Sequence, residues 1–148
     1  MTAVTFEVQG SGGVNLAGHE VGRARDPPVL FLHGGGQTRF AWDATLQKVA
    51  DAGWRAAALD LRGHGESEWA PDGDYLLATL AADIAAYAQA APESPVLVGA
   101  SLGGLSSLYY ASRPGARVRA LLLVDVTIAI EQKGTATAGT GRLGRPDC

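Results

Sequence analysis

The chain has 148 residues, 47% of them hydrophobic, and a formal net charge of −3, enough apolar material for one globular domain. Its twelve Lys and Arg residues are scattered and form no basic stripe, which argues against nucleic acid as a partner. No charged start followed by an apolar run marks a secretory leader, no apolar run reaches the ~20 residues that cross a bilayer, and Cys148 has no cysteine to pair with, so a cytoplasmic protein without membrane contact, disulfide or cysteine metal site is expected.

In chain order, TAVTFEV (2–8) alternates and is rich in β-branched residues, QGSGG turns the chain, and VNLAGHEVG alternates again, which predicts an antiparallel hairpin. From Pro28 the pattern changes to short continuous apolar runs, PVLFLHG, WRAAALDLRG, PVLVGAS and VRALLLVDV, as expected of strands covered on both faces in a parallel sheet. Between them the sequence predicts helices over about 40–52, closed by Gly53, over about 75–90, stopped by Pro92, and from Ser101 to near Arg113. The fold class is therefore α/β: a mostly parallel sheet with an N-terminal antiparallel hairpin and helices on both faces, with chemistry expected at the C-terminal ends of the strands.

Residues 1–130 read as the domain. From Glu131 the sequence EQKGTATAGTGRLGRPDC has one large apolar residue, Leu143, and no periodicity. Residues 131–148 are expected to be a disordered tail, foreign to the fold, as a frameshift or premature stop would leave. The tail's GTGRLG matches GxGxxG only formally: no strand precedes it and too little follows to form the helix that would hold a pyrophosphate.

The segment that carries chemistry is VLVGASLGG, where Gly99, Ser101 and Gly103 form GxSxG between an apolar strand and a helix-compatible stretch. A serine on such a turn sits in a strained backbone that requires small residues two before and two after it. Its hydroxyl would stand at a helix N-terminus, where free N–H groups favour negative charge. The alternative is an ordinary strand-to-helix turn with a capping serine. His33 followed by Gly34, Gly35 and Gly36 ends the strand PVLFL, so a glycine turn can aim a backbone N–H at the same point as the amide of Leu102, or can simply be a tight turn. DLRGHGES (60–67) follows the next strand. Phe40 and Trp42, just after the glycine turn, can face an acyl pocket or, as is commoner for an aromatic at the start of a helix, belong to the core.

With these three segments in order, the chain resembles the α/β-hydrolase fold family, in its single-domain, esterase-like branch with an HG turn, a DxRGHGxS segment and GxSxGG. The resemblance covers residues 2 to about 128. It implies Ser101 as nucleophile, Gly35 and Leu102 as oxyanion N–H donors with Gly36 a further contributor, and Asp60, Arg62, His64 and Ser67 as braces. It implies a small acyl substrate and no cofactor or metal. Members with an aspartate at the elbow are dehalogenases and epoxide hydrolases, so serine implies acyl transfer to water. The family's triad runs Ser, acid, His, and no histidine follows Ser101 in this sequence; the three present are His19, His33 and His64. Asp125, at the end of ALLLVDV, matches a place where some members put their acid and where the residue is more often structural. The family's fold continues through two further strands, so ALLLVDV is expected to be an open, apolar edge that invites self-association. Two readings follow: a serine hydrolase acting on a small ester, lactone or related acyl compound, or a non-catalytic fragment or interaction module that keeps the sheet.

Overall fold

The computed structural model describes residues 1–127. Six strands form one sheet: β1 Val4–Gln9, β2 Asn15–Val21, β3 Pro28–Leu32, β4 Arg55–Leu59, β5 Val96–Ala100 and β6 Ala120–Val124, in the spatial order β1-β2-β4-β3-β5-β6. The hairpin β1-β2 is antiparallel and joins antiparallel to β4, while β4, β3, β5 and β6 run parallel. The continuous apolar runs in the middle of the sheet are covered: every residue of β3 is buried, as are four of the five in β4, whereas the run ALLLV of β6, at the sheet edge, has no buried residue. Helices α1 Asp43–Asp51, α2 Leu77–Ala90 and α3 Leu102–Ala111 provide the cover. One core cluster places Leu30, Leu32, Leu59 and Leu97 against Leu80, Ile84 and Tyr110 of α2 and α3. The other packs Phe31, Val29 and Val98 against Leu46 and Ala50 of α1.

The hairpin and the four parallel strands lie where the periodicity places them. The first helix differs. The chain at Arg39–Trp42 is a tight 3₁₀ turn, and the α-helix begins only at Asp43. The reason is tertiary: Asp60 Oδ1 accepts the Arg39 N–H at 2.6 Å and the Asp60 carboxylate also takes the Arg39 guanidinium, which holds this stretch off the helical path. Phe40 is correspondingly no core residue. It is 53% exposed and stacks on His19 at 5.5 Å, whereas Trp42 does pack on Phe31 at 5.1 Å. Among the described residues no helix is long and apolar enough to cross a membrane. The expectation for residues 131–148 lies outside the described residues.

Candidate functional site

Three parallel strands end side by side, and their C-terminal turns build the site. In β5 the chain leaves Ala100 and reverses at Ser101, which has φ 46° and ψ −112° and opens α3 as its N-terminal flanking residue. Its hydroxyl makes no capping bond, so the capping-serine reading fails and the exposed side chain is left unengaged by the helix it begins. The glycines around it are required by contact. A Cβ on Gly99 would lie 2.5 Å from the Gly103 carbonyl oxygen, one on Gly103 would lie 2.5 Å from that of Leu32, and one on Gly104 would lie 2.4 Å from Val126 Cγ2. The start of α3 thus rests directly on the ends of β3, β5 and β6. Within α3, Ser106 and Ser107 donate their hydroxyls to the carbonyls of Leu102 and Gly103, which satisfies two buried polar groups.

The second turn follows β3. A Cβ on Gly34 would stand 3.6 Å from Ser101 Cβ, and one on Gly35 would stand 3.7 Å from Leu102 Cδ2, so the glycine turn abuts the serine turn. The N–H groups of the two turns divide clearly. Gly34 donates to Gln37 Oε1 at 3.0 Å, Gly36 to His64 Nε2 at 3.2 Å and Gly103 to the His33 carbonyl at 3.2 Å. Those of Gly35 and Leu102 donate to no described residue. Gly36 is therefore not a free donor, because His64 holds its N–H.

The third turn, 60–67, is a brace. Asp60 is fully buried, accepting from the Arg39 and Glu66 N–H groups and from the Arg39 guanidinium. Burial alone would lower the pKa of Arg39, but its bonds to Glu66 and Asp60 raise it above the ordinary arginine value. Arg62 is forked onto Asp83 of α2 at 2.7 and 2.8 Å and reaches the carbonyls of Ser11 and Asp74; its bonds to Asp83 hold its pKa up against the effect of burial. Ser67 donates to the Asp60 carbonyl and accepts the Ala17 N–H.

No histidine is bonded to Ser101, and each has both ring nitrogens engaged. His19 Nδ1 accepts from Arg39 Nε and its Nε2 meets Asp43 Oδ1 at 2.9 Å. His33 Nε2 accepts the Leu61 N–H at 3.0 Å, leaving Nδ1–H for the Gly34 carbonyl at 2.7 Å. His64 Nε2 accepts from Gly36 and its Nδ1 faces the Arg62 carbonyl at 3.0 Å. Burial lowers the pKa of His33, and the nearby His64 adds to this, against the raising influence of the Gly34 carbonyl and Asp60. Asp125 follows Val124, whose carbonyl accepts the Ser101 N–H at 3.0 Å. It is exposed, has φ 52°, and its carboxylate bonds to no described residue. Among the described residues no group of three or more His, Cys, Asp and Glu is placed to hold a metal ion. Sequence reasoning misses Arg39, the 3%-exposed cation on which Asp60, Glu66 and His19 converge. Its partners lie about twenty or more positions away, and no local pattern marks it.

A family model described as alpha/beta hydrolase fold matches residues 27–144. An esterase of Mycobacterium tuberculosis is 39% identical over 119 residues, covering 74% of this chain and 39% of that protein. Among solved structures, a thioesterase domain from the curacin biosynthetic pathway matches with a TM-score of 0.81 at 28% identity, covering 90% of this chain and 50% of that one. An epoxide hydrolase from Vigna radiata matches with a TM-score of 0.78 at 26% identity, covering 86% and 41%. The chain thus spans half or less of the length of these relatives.

Proposed function

Because the chain belongs to the alpha/beta hydrolase fold family, we propose that it carries the nucleophile and oxyanion donors of a serine hydrolase acting on a small ester, lactone or related acyl compound. The observation that carries this reading is Ser101 itself: a non-glycine residue held at φ 46°, with its hydroxyl exposed and uncommitted to capping. Beside it stand two unengaged N–H groups. Strain of this kind persists only where the surroundings over-determine it, and such positions cluster at functional sites, which supports the reading.

In the proposed reaction, Ser101 Oγ attacks the acyl carbonyl carbon and the carbonyl oxygen takes up the negative charge. The N–H groups of Gly35 and Leu102 stabilise that oxyanion, helped by the N-terminal end of α3. The C–O bond to the leaving alcohol then breaks, the alcohol takes the proton removed from Oγ, and water hydrolyses the acyl-serine to release the acid and restore the hydroxyl. A base is needed to carry that proton. The three histidines are engaged elsewhere, so the base comes from outside the described residues, and Asp125, at the same end of the sheet, is proposed as the acid that orients it.

The test is labelling of the folded chain with a fluorophosphonate probe, peptide mapping, and a Ser101→Ala control. Labelling at Ser101 that vanishes in the control supports the hydrolase reading. The engaged histidines favour a second reading, a non-catalytic module that keeps the sheet and its elbow. A chain folded by circular dichroism that does not label favours this second reading for the chain on its own.

A further inference from the structure

His64 takes no part in the proposed chemistry, yet it closes the turn that presents Gly35. A backbone N–H can only donate, so the 3.2 Å contact from Gly36 makes Nε2 the bare nitrogen of the ring and places the ring proton on Nδ1, toward the Arg62 carbonyl. His33 is held in the same tautomer by Leu61 and the Gly34 carbonyl, and the two rings pack with centroids 5.0 Å apart. The two imidazoles therefore hold the turn at two points, one at the Gly34 carbonyl and one at the Gly36 amide. Gly35 lies between them with its N–H unengaged, and Gly36 sits at φ 76°.

We propose that His64 is a positioning residue for this turn and that it makes the turn responsive to pH. The proposal rests on the reading of Gly35 as an oxyanion donor. With the ring neutral, Nε2 accepts the Gly36 N–H and fixes the direction of the Gly35 amide. Protonation puts a hydrogen on Nε2, so that two donors face each other and the turn is released. Histidine is the side chain whose protonation falls in the range of about pH 5 to 8. The groups around His64 are few. From the turn after β3 comes the neutral ring of His33, and from its own loop the Arg62 carbonyl. The Asp60 carboxylate, 4.0 Å from His33 Nε2, is engaged by Arg39 and the Glu66 N–H. Glu66 pairs with Arg39, and the Arg62 guanidinium is turned away onto Asp83.

The experiment is an NMR titration of the whole 148-residue chain, following the Gly35 and Gly36 amides and the His64 ring in the wild type, His64→Gln and His64→Ala. The Gln carboxamide oxygen can accept the same N–H and does not titrate. In the wild type the Gly36 amide is expected to shift with the same midpoint as the His64 ring. In His64→Gln it is expected to stay flat while keeping its protection from exchange. In His64→Ala it is expected to exchange about tenfold faster than in the wild type above the His64 transition, the effect of one lost hydrogen bond, and at the wild-type rate below it. A wild-type Gly36 amide that ignores the His64 transition, or one that still titrates in His64→Gln, overturns the proposal, and the wild-type titration alone decides if a variant does not fold. Fluorophosphonate labelling of the same samples separates the two claims. Labelling that slows as wild-type His64 protonates, and not in His64→Gln, supports both. A titrating Gly36 without labelling at any pH leaves the brace standing and removes the hydrolase reading.

Discussion

Ser101 stores strain that its own side chain does not require. A non-glycine residue held at positive φ outside the common wells costs on the order of 1–3 kcal/mol, so Ser101→Gly is expected to raise the stability of the folded chain by about 1 kcal/mol in urea denaturation, after the larger entropy loss of glycine is deducted. A destabilised variant would mean the turn is relaxed as it stands. The opposite holds at Gly103, where a Cβ would lie 2.5 Å from the Leu32 carbonyl oxygen: Gly103→Ala is expected to cost about 1–3 kcal/mol in the same assay. His33 has a defined pH signature. Burial holds its folded pKa below the ordinary imidazole value of 6.5, so the unfolded chain binds the proton more readily. Its contribution is complete above about pH 6.5 and is lost as pH falls toward the lowered folded value. His33→Asn should flatten that part of the stability profile. The elbow is legible in sequence because steric demand dictates composition there: only glycine fits at 99 and 103. The bonds of His33 and His64 are not, although the resemblance implies His64 as a brace, because their ring nitrogens are engaged by backbone groups that no pattern reveals.

Between elements, the Arg62–Asp83 pair joins the 60–67 turn to α2, and Asp83 Oδ1 also accepts the Ser11 N–H at 2.8 Å. Both side chains are 2% exposed. Removing one partner leaves a buried charge, so Asp83→Ala is expected to destabilise by about 3–5 kcal/mol, while the double replacement Arg62→Met with Asp83→Leu should recover most of the loss. Chemical denaturation of the three variants checks this; equal losses in the single and double variants would count against it. The strands are legible because a run such as PVLFL, buried at every position, has no polar face to present. The start of α1 is not, since the turn at Arg39 answers to Asp60, twenty-one positions away. α2 begins where the Asp74 carboxylate accepts the Leu76 N–H and the Thr79 hydroxyl, bonds that hold its pKa below the ordinary carboxylate value.

At the scale of the whole molecule, β6 pairs with β5 and has no described strand on its other side. Leu122 is 51% exposed and Val124 44%, although ALLLV reads like a strand covered on both faces. We propose that the 148-residue chain made alone pairs with a second copy along this edge. Sedimentation velocity should show concentration-dependent association that Leu122→Lys reduces, and a monomer at all concentrations would refute it. The sequence does not disclose which strands are neighbours: the placement of β4 between β2 and β3 depends on contacts across the whole chain, not on any local period.

The alignment of β3 with β5 has a consequence for how such a chain can change over generations. Leu32 is paired with Gly99, and both turns that meet at Ser101 begin within two residues of that pair. Adding or removing one residue inside β5 would carry the serine along the strand by about 3.3 Å and turn it to the other face of the sheet. Lineages descended from this sequence can therefore exchange side chains freely on the outer faces of α1 and α2, but the lengths of β3 and β5 are locked to each other. An insertion in one is tolerable only with a matching insertion in the other.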